Sequence, residues 1–369
     1  MSLYVGLMSG TSMDAIDAVL CDIEPNRIDF MGAHSVAIPA LLKDKLERAC
    51  TPDLSVTHYH QLGREYAELC AQAIHQLLKQ TRIPVSQVEA VASHGQTLWH
   101  APPKNKGETG FSIQLNDADW LAVKTELPVI FDFRARDLAL GGQGAPLVPA
   151  FHQFIFGNAS TDPIAVLNLG GIANISFLGS SAKQAIGFDT GPANTLLDQW
   201  IARHKSERFD HNGVWAQQGA LDTALLNALL NDPYFSHPPP KSSGREYFNL
   251  TWLEQFIGER YRPVDVQRTL VELTAKSVAQ SLNELPETPT KLVVCGGGAF
   301  NRFLLERIQH CLSDPIPVVD SSKFGVDPQH VEAMAFAWLG WCFDNKKPAN
   351  LPSVTGASQL AILGKRVSA

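Results

Sequence analysis

Two phosphate-binding signatures are missing from this chain. No G-x-x-x-x-G-K-[ST] and no G-x-G-x-x-G occurs, which excludes the common P-loop and weakens any dinucleotide-fold reading. Positive charge is also short. The 30 Lys and Arg against 37 Asp and Glu leave a formal charge of −7, which argues against a general nucleic-acid or anionic-membrane surface but leaves room for a local basic pocket. The cysteines Cys21, Cys50, Cys70, Cys295, Cys311 and Cys342 form no C-x-x-C pair and no zinc spacing, so reduced, mostly buried thiols of a cytosolic protein are the simplest account. The most apolar stretch, Ala333 to Phe343, falls far short of the ~20 residues of a membrane span. Met1 to Gly10 carries no basic n-region, and the expectation is a soluble cytoplasmic protein without a targeting signal. At 369 residues the chain exceeds the size at which one core stops growing, so two lobes are expected.

What is present starts with Gly6 to Asp17, GLMSGTSMDAID, where apolar runs flank a turn and predict strand, polar turn, strand. The turn carries three hydroxyls and two carboxylates, Asp14 and Asp17. Hydroxyls and backbone N–H groups cradle phosphate oxygens and a carboxylate beyond them holds hydrated Mg²⁺, yet the same residue types also make an ordinary solvated hairpin tip. Ile28 to Ile38 reads as a third strand and Pro39 to Ala49 as a short helix. Between Val56 and Thr81, Leu62, Tyr66, Leu69, Ala73 and Leu77 recur at helical spacing and leave Glu65, Glu68, Gln72 and Gln76 for solvent. The strand Val88 to Ala92 ends in SHGQT, whose His94 either binds a ligand or bonds a neighbouring loop. A loop rich in Pro, Lys and Gly follows over Pro102 to Gly110.

Pro128 to Phe133 predicts a strand leading to Arg134, Arg136, Asp137 and a glycine-rich turn. Arginines there suit a carboxylate or phosphate, the alternative being a surface pair of Arg136 with Asp137. The runs Ile164 to Leu169 and Ile172 to Leu178, joined by Gly170 and Gly171, echo the opening hairpin and suggest an internal duplication. Ala185 to Phe188 then leads to Asp189, placed either to act on a ligand or to cap the helix that follows, a task Asn194 could share. Finally Lys291 to Cys295 runs into Gly296, Gly297 and Gly298, where backbone can lie against a flat ring, before a helix through Leu304 and Ile308.

Taken in order, GTSMD at Gly10, SHGQT at Ser93, DFRARD at Asp132, LGGQGAPLVP at Leu140, LNLGGIANIS at Leu167, FDTGPAN at Phe188, KSSGREYFN at Lys241, VCGGGAFN at Val294, EAMAFAWLG at Glu332 and LPSVTGAS at Leu351 resemble the anhydro-N-acetylmuramic acid kinases, within the actin-like ATPase and sugar kinase superfamily. The resemblance spans essentially the whole chain, with Ala15 and Ala193 standing where the family usually has Gly. It implies an α/β fold of two related lobes, each a mixed sheet flanked by helices, with residues 1–136 plus 345–369 in one lobe, 137–344 in the other, and ATP and sugar in the cleft. The implied reaction converts ATP and 1,6-anhydro-N-acetylmuramic acid to ADP and N-acetylmuramic acid 6-phosphate, in cell-wall sugar recycling, by a homodimer.

The resemblance also distributes roles. Asp189 is the implied base. Gly10, Thr11, Ser12, Met13, Asp14, Ala15, Ile16 and Asp17 form the first phosphate stretch, with Asp14 reaching Mg²⁺ through water. Gly170, Gly171 and Asn174 form the second phosphate turn, and Gly296, Gly297, Gly298 and Asn301 the nucleotide contact. His94, Arg134 and Glu332 face the sugar, Arg134 near the leaving O6 or the γ-phosphate, and Lys241 and Arg245 make substrate or interlobe contacts. Another kinase of this fold acting on a free hydroxyl, and an actin-like nucleotide switch, are the competing functions.

Overall fold

The computed structural model describes every residue except 11–12, 104–107, 158–161, 181–184, 240, 245–246, 259–260 and 314–315. The chain divides into two compact units, Met1–Asn158 with His330–Ala369, and Ala159–Gln329. The expected limits at 136/137 and 344/345 thus fall inside the first unit, and Asp137 gives the physical reason. Its fully buried carboxylate accepts hydrogen bonds from Thr355 Oγ1 (2.8 Å), Asn350 Nδ2 (2.9 Å) and Gly144 N (2.8 Å), binding residues 137–144 to the C-terminal segment. Asp137 is therefore not a surface partner of Arg136.

In chain order the first unit holds β1 (Leu3–Met8), β2 (Ala15–Glu24), β3 (Arg27–Ala37), β4 (Val88–Ser93), β5 (Gln96–Ala101), β6 (Phe111–Leu115) and β7 (Val129–Phe131). The second holds β8 (Ile164–Leu169), β9 (Ile172–Leu178), β10 (Ala185–Pro192), β11 (Leu292–Cys295) and β12 (Val318–Asp320), and β13 (Lys365–Val367) returns to the first. The larger sheet runs β13-β7-β4-β1-β2-β3: the β1–β2 and β2–β3 pairs are antiparallel, β1–β4 and β4–β7 parallel. The second sheet, β10-β9-β8-β11-β12, repeats the scheme, with β8–β9 and β9–β10 antiparallel and β8–β11 and β11–β12 parallel. Two mixed sheets of one design, with helices in the crossovers that parallel pairing requires, match the expected class and support the duplication. The strands β5 and β6 pair separately and flank the glycine- and proline-rich loop.

Burial on both faces explains why β1 shows no polar alternation. Leu3, Val5 and Leu7 share a core with Tyr66, Cys70, Ile74 and Leu77 of the helix Val56–Thr81, which Ser55 caps by accepting from His58 N. Glu65, Glu68, Gln72 and Gln76 are exposed on its outer side. On the other face of β1, Gly6 lets the helix Val331–Asp344 approach so closely that a Cβ would lie 2.0 Å from Ala333 O. In the second unit, Leu167 and Leu169 of β8 and Leu292 and Val294 of β11 pack in one core with the helices Asn194–Lys205, Pro263–Asn283 and Arg302–Cys311.

The two alanines at family glycine positions meet no left-handed backbone. Ala15 opens β2 opposite Ala37, and Ala193 has φ −120°. Among the described residues no helix is long and apolar enough to cross a membrane.

Candidate active site

In the first unit, at the β1–β2 tip, Met13 N donates to Gly10 O at 3.1 Å and Met13 has φ 52°. Thr11 and Ser12 lie outside the described residues. Met13 and Ile16 bury their side chains in the core, Ala15 lies in β2, and Asp17 accepts from Ser35 Oγ within the β2–β3 pair. Asp14 is exposed at the tip, with Lys43 Nζ 2.7 Å from its Oδ1. Behind the turn, buried Ser9 Oγ donates to Gln96 Oε1 at 2.6 Å and Gln96 Nε2 donates to Gly10 O at 3.4 Å. Gln96 thus supports the turn, a role the sequence signals only by its place in SHGQT.

His94, Arg134 and Glu332 belong to one cluster. His94 is buried at the end of β4, and Arg134 Nη2 lies 2.8 Å from its Nε2. A guanidinium only donates, so Nε2 accepts and the ring proton sits on Nδ1, which is buried without a partner. Burial first, and the Arg134 charge second, pull His94 well below the ordinary 6.5, so the ring is neutral. The second arm of Arg134, Nη1, donates to Gly144 O at 2.8 Å, while its Nε is buried without a hydrogen bond. Burial draws the guanidinium down to about 10 against the opposing effect of Glu332, and at neutral pH it remains a cation. Glu332 stands in the first turn of its helix, and Phe336, one turn further, packs on the His94 ring at 4.7 Å between centroids.

In the second unit Asp189 sits within β10 rather than beyond its end, directly opposite Asn174 of β9, and a bulge follows before Gly191. Asn174 Nδ2 donates to Asp189 Oδ1 at 2.8 Å, and Ser243 N donates to Oδ2 at 2.9 Å. The main chain of Asp189 is held as well, its N donating to Lys241 O (3.0 Å) and its O accepting from Tyr234 OH (2.9 Å). Capping is not its task. The helix Asn194–Lys205 has Ala193 as N-cap, and the N–H groups of Ala193, Asn194 and Thr195 donate to the carbonyls of Gly170 and Gly171. Asn194 does not cap with its side chain either, since its Nδ2 donates to Leu169 O at 3.0 Å.

Lys241 Nζ lies 3.4 Å from the carbonyls of Tyr234 and Phe235 and 5.1 Å from the Tyr234 ring centroid, and burial lowers its pKa. Arg245 is outside the described residues. Pro233, Tyr234, His237, Ser242, Ser243 and Tyr247 line a cavity of about 310 Å³, and Ser243 Oγ is buried with no partner. Tyr234 and Ser243 both hydrogen-bond Asp189; the sequence does not single out Tyr234 and carries Ser243 only within KSSGREYFN. In the glycine turn, a Cβ on Gly296 would meet Asn168 Oδ1 at 2.3 Å and one on Gly298 would meet Leu169 Cβ at 2.6 Å, so these two serve close packing on β8. Gly297 is exposed with open space beside it. Asn301 Oδ1 accepts from Leu304 N at 3.1 Å and caps the helix Arg302–Cys311. Among the described residues no three His, Cys, Asp or Glu gather as a metal site.

Known proteins resemble this chain along its length. It matches the family model described as anhydro-N-acetylmuramic acid kinase over residues 2–369. It is 47% identical over 368 residues to the anhydro-N-acetylmuramic acid kinase of Idiomarina loihiensis, covering 99% of this chain and 98% of that one. To the same-named protein of Shewanella oneidensis it is 46% identical over 369 residues, again 99% and 98%. A ROK family glucokinase from Streptomyces griseus, solved with glucose and AMPPNP, aligns over 91% of this chain and 99% of its own at 15% identity and TM-score 0.41, a distant likeness.

Proposed function

The chain belongs to the anhydro-N-acetylmuramic acid kinase family, and from that premise we propose how its residues join phosphoryl transfer to cleavage of the anhydro bridge. It is an ATP-using sugar kinase acting on 1,6-anhydro-N-acetylmuramic acid. In that sugar O6 is tied to C1 as an ether and carries no proton, so a base that strips a hydroxyl proton has nothing to act on. Asp189 instead takes a proton from water, whose oxygen bonds to C1 as the C1–O6 bond breaks. O6 takes the γ-phosphoryl group, and the products are ADP and N-acetylmuramic acid 6-phosphate. The carboxylate also offsets positive charge that develops at C1. The observation that carries this assignment is the fixed Asp189 side chain, whose Oδ1 receives Asn174 Nδ2 and whose Oδ2 receives Ser243 N.

The first unit supplies Gly10 and its neighbours to the phosphates. A largely hydrated Mg²⁺ suits a tip with one exposed carboxylate, Asp14, and when bound it neutralises charge on the phosphoryl groups. Arg134, kept cationic and aimed by His94 and Gly144, neutralises the leaving O6 or the γ-phosphate, and Glu332 faces the sugar. The second unit supplies Gly170 and Gly171 to the phosphates, Gly297 to the nucleotide, and Lys241 with Arg245 to the sugar. Such a reaction belongs to recycling of cell-wall amino sugars. Running it in ¹⁸O-labelled water and weighing the product tests the scheme: one ¹⁸O at C1 is expected. An unlabelled phosphorylated product identifies a kinase that acts on a free hydroxyl.

A further inference from the structure

We propose that Asn174 is a positioning residue for Asp189, with the main chain of Ser243 as the second half of the same clamp. The proposal rests on Asp189 being the base. By its place after the Gly170–Gly171 turn Asn174 suits a phosphate contact, but the sheet register turns it elsewhere. Asn168 of β8, Asn174 of β9 and Asp189 of β10 stand directly opposite one another in successive strands. Residues opposed in this way project from one face of a sheet with Cβ atoms about 5 Å apart, so the three form a polar row. At one end of the row, Asn168 lies where a Cβ on Gly296 would come within 2.3 Å of its Oδ1, which sets the glycine turn beside it. At the other end, Asn174 Nδ2 holds Asp189 Oδ1 at 2.8 Å while Ser243 N holds Oδ2 at 2.9 Å.

These two donors, on opposite oxygens, fix the plane of the carboxylate, since rotation about its terminal bond would break both hydrogen bonds. A carboxylate accepts about four such bonds, and these two, one from each side, set its orientation. The neutrality of the amide matters as well. A cation at this position would depress the basicity of Asp189 far more than an amide does, and a carboxylate would raise it by repulsion. Tyr234, from the helix Pro233–Ser236, is a titratable group in direct contact with Asp189, its hydroxyl donating to Asp189 O, whereas Lys241 meets Asp189 through its backbone carbonyl and turns its ammonium to the carbonyls of Tyr234 and Phe235. Burial and the Asp189 charge both push the Tyr234 phenol up, so it stays a neutral donor.

Steady-state kinetics with the anhydro sugar and ATP across pH, on Asn174→Ala, Asn174→Asp and Asp189→Asn, test the assignment. Asn174→Ala is expected to lower kcat by roughly 10- to 100-fold, the scale of a misplaced catalytic group, with KM for ATP within about threefold of wild type. Its acid limb should move to higher pH, because a donor to the ionised form is lost, and Asn174→Asp should move it further, by about one pH unit or more. If KM for ATP rises while kcat and the acid limb stay put, Asn174 is a phosphate contact and the proposal is overturned. Unchanged kinetics in both Asn174 variants overturn it too. Near wild-type kcat in Asp189→Asn removes the base assignment and the proposal with it, whereas an inactive Asp189→Asn beside normal Asn174 variants removes the proposal alone. Should Asn174→Asp not fold, Asn174→Ser takes its place, with the same loss and acid-limb shift expected as for Asn174→Ala.

Discussion

His94 and His152 are both buried as neutral rings. Burial and then the Arg134 charge hold His94 well below 6.5, and burial alone brings His152 to about 3. In the unfolded chain both titrate near 6.5. Below that pH the unfolded state binds protons that the folded state refuses, so stability is full above about 6.5 and drains away as pH falls toward the folded values. The urea midpoint is therefore expected to drop between pH 7.5 and 5, and His152→Gln is expected to weaken the dependence; a flat midpoint in the wild type would mean that protons reach these rings in the fold. Residue identity at such positions is legible in the sequence, but partnership is not. SHGQT marks His94, yet the Arg134 that it holds is 40 residues away. Asp189 stands out in FDTGPAN, but half of its clamp is the N–H of Ser243, a group every residue but proline has, so no sequence pattern records it. For Asn301 and Met13 the motif marks a position whose side chain the fold then uses for capping and core.

The helix Pro263–Asn283 shows what elements conceal. Its buried side carries Gln267, Thr269, Glu272, Thr274, Ser277 and Ser281 among the aliphatic residues, and those polar side chains blur the apolar period that makes Val56–Thr81 easy to read. The strands β12 and β13 span three residues each, too few for any period to register, while β7, equally short, is legible as part of the apolar run Pro128 to Phe133. Within the long helix, buried Glu272 receives Arg268 Nη1 at 2.8 Å and both Nε (2.8 Å) and Nη2 (2.9 Å) of Arg307 from the helix Arg302–Cys311. Burial works to raise its pKa, but the hydrogen bonds from Arg307 and Arg268 prevail and hold the carboxyl at about 2. Removing one partner of a buried ion pair leaves uncompensated charge, so Glu272→Gln is expected to destabilise the second unit by about 3 kcal/mol in urea unfolding. Replacing all three members with apolar residues of similar volume should recover most of that loss, and a triple variant as weak as the single one would show that packing, not charge, governs the site.

The whole molecule repeats one plan, three antiparallel strands followed by two parallel ones in each unit. The paired glycine hairpins announce that plan in the sequence, and the order of the motifs along the chain announces the family. Binding and chemistry separate at this scale. A ligand that binds only the folded chain stabilises it by mass action, by about 2.7 kcal/mol at a hundredfold excess over its Kd. For a protein of this size that free energy corresponds to several degrees in Tm. In the proposed scheme Asp189 acts on water and touches no part of the nucleotide, so its carboxylate contributes to turnover and not to this shift. Thermal unfolding with a non-hydrolysable ATP analogue and Mg²⁺ is therefore expected to give the same rise in Tm for wild type and Asp189→Asn, although only the wild type turns over. If the variant folds with an unchanged Tm alone but loses the rise, the Asp189 carboxylate belongs to the nucleotide site, and the base that activates water must be sought elsewhere.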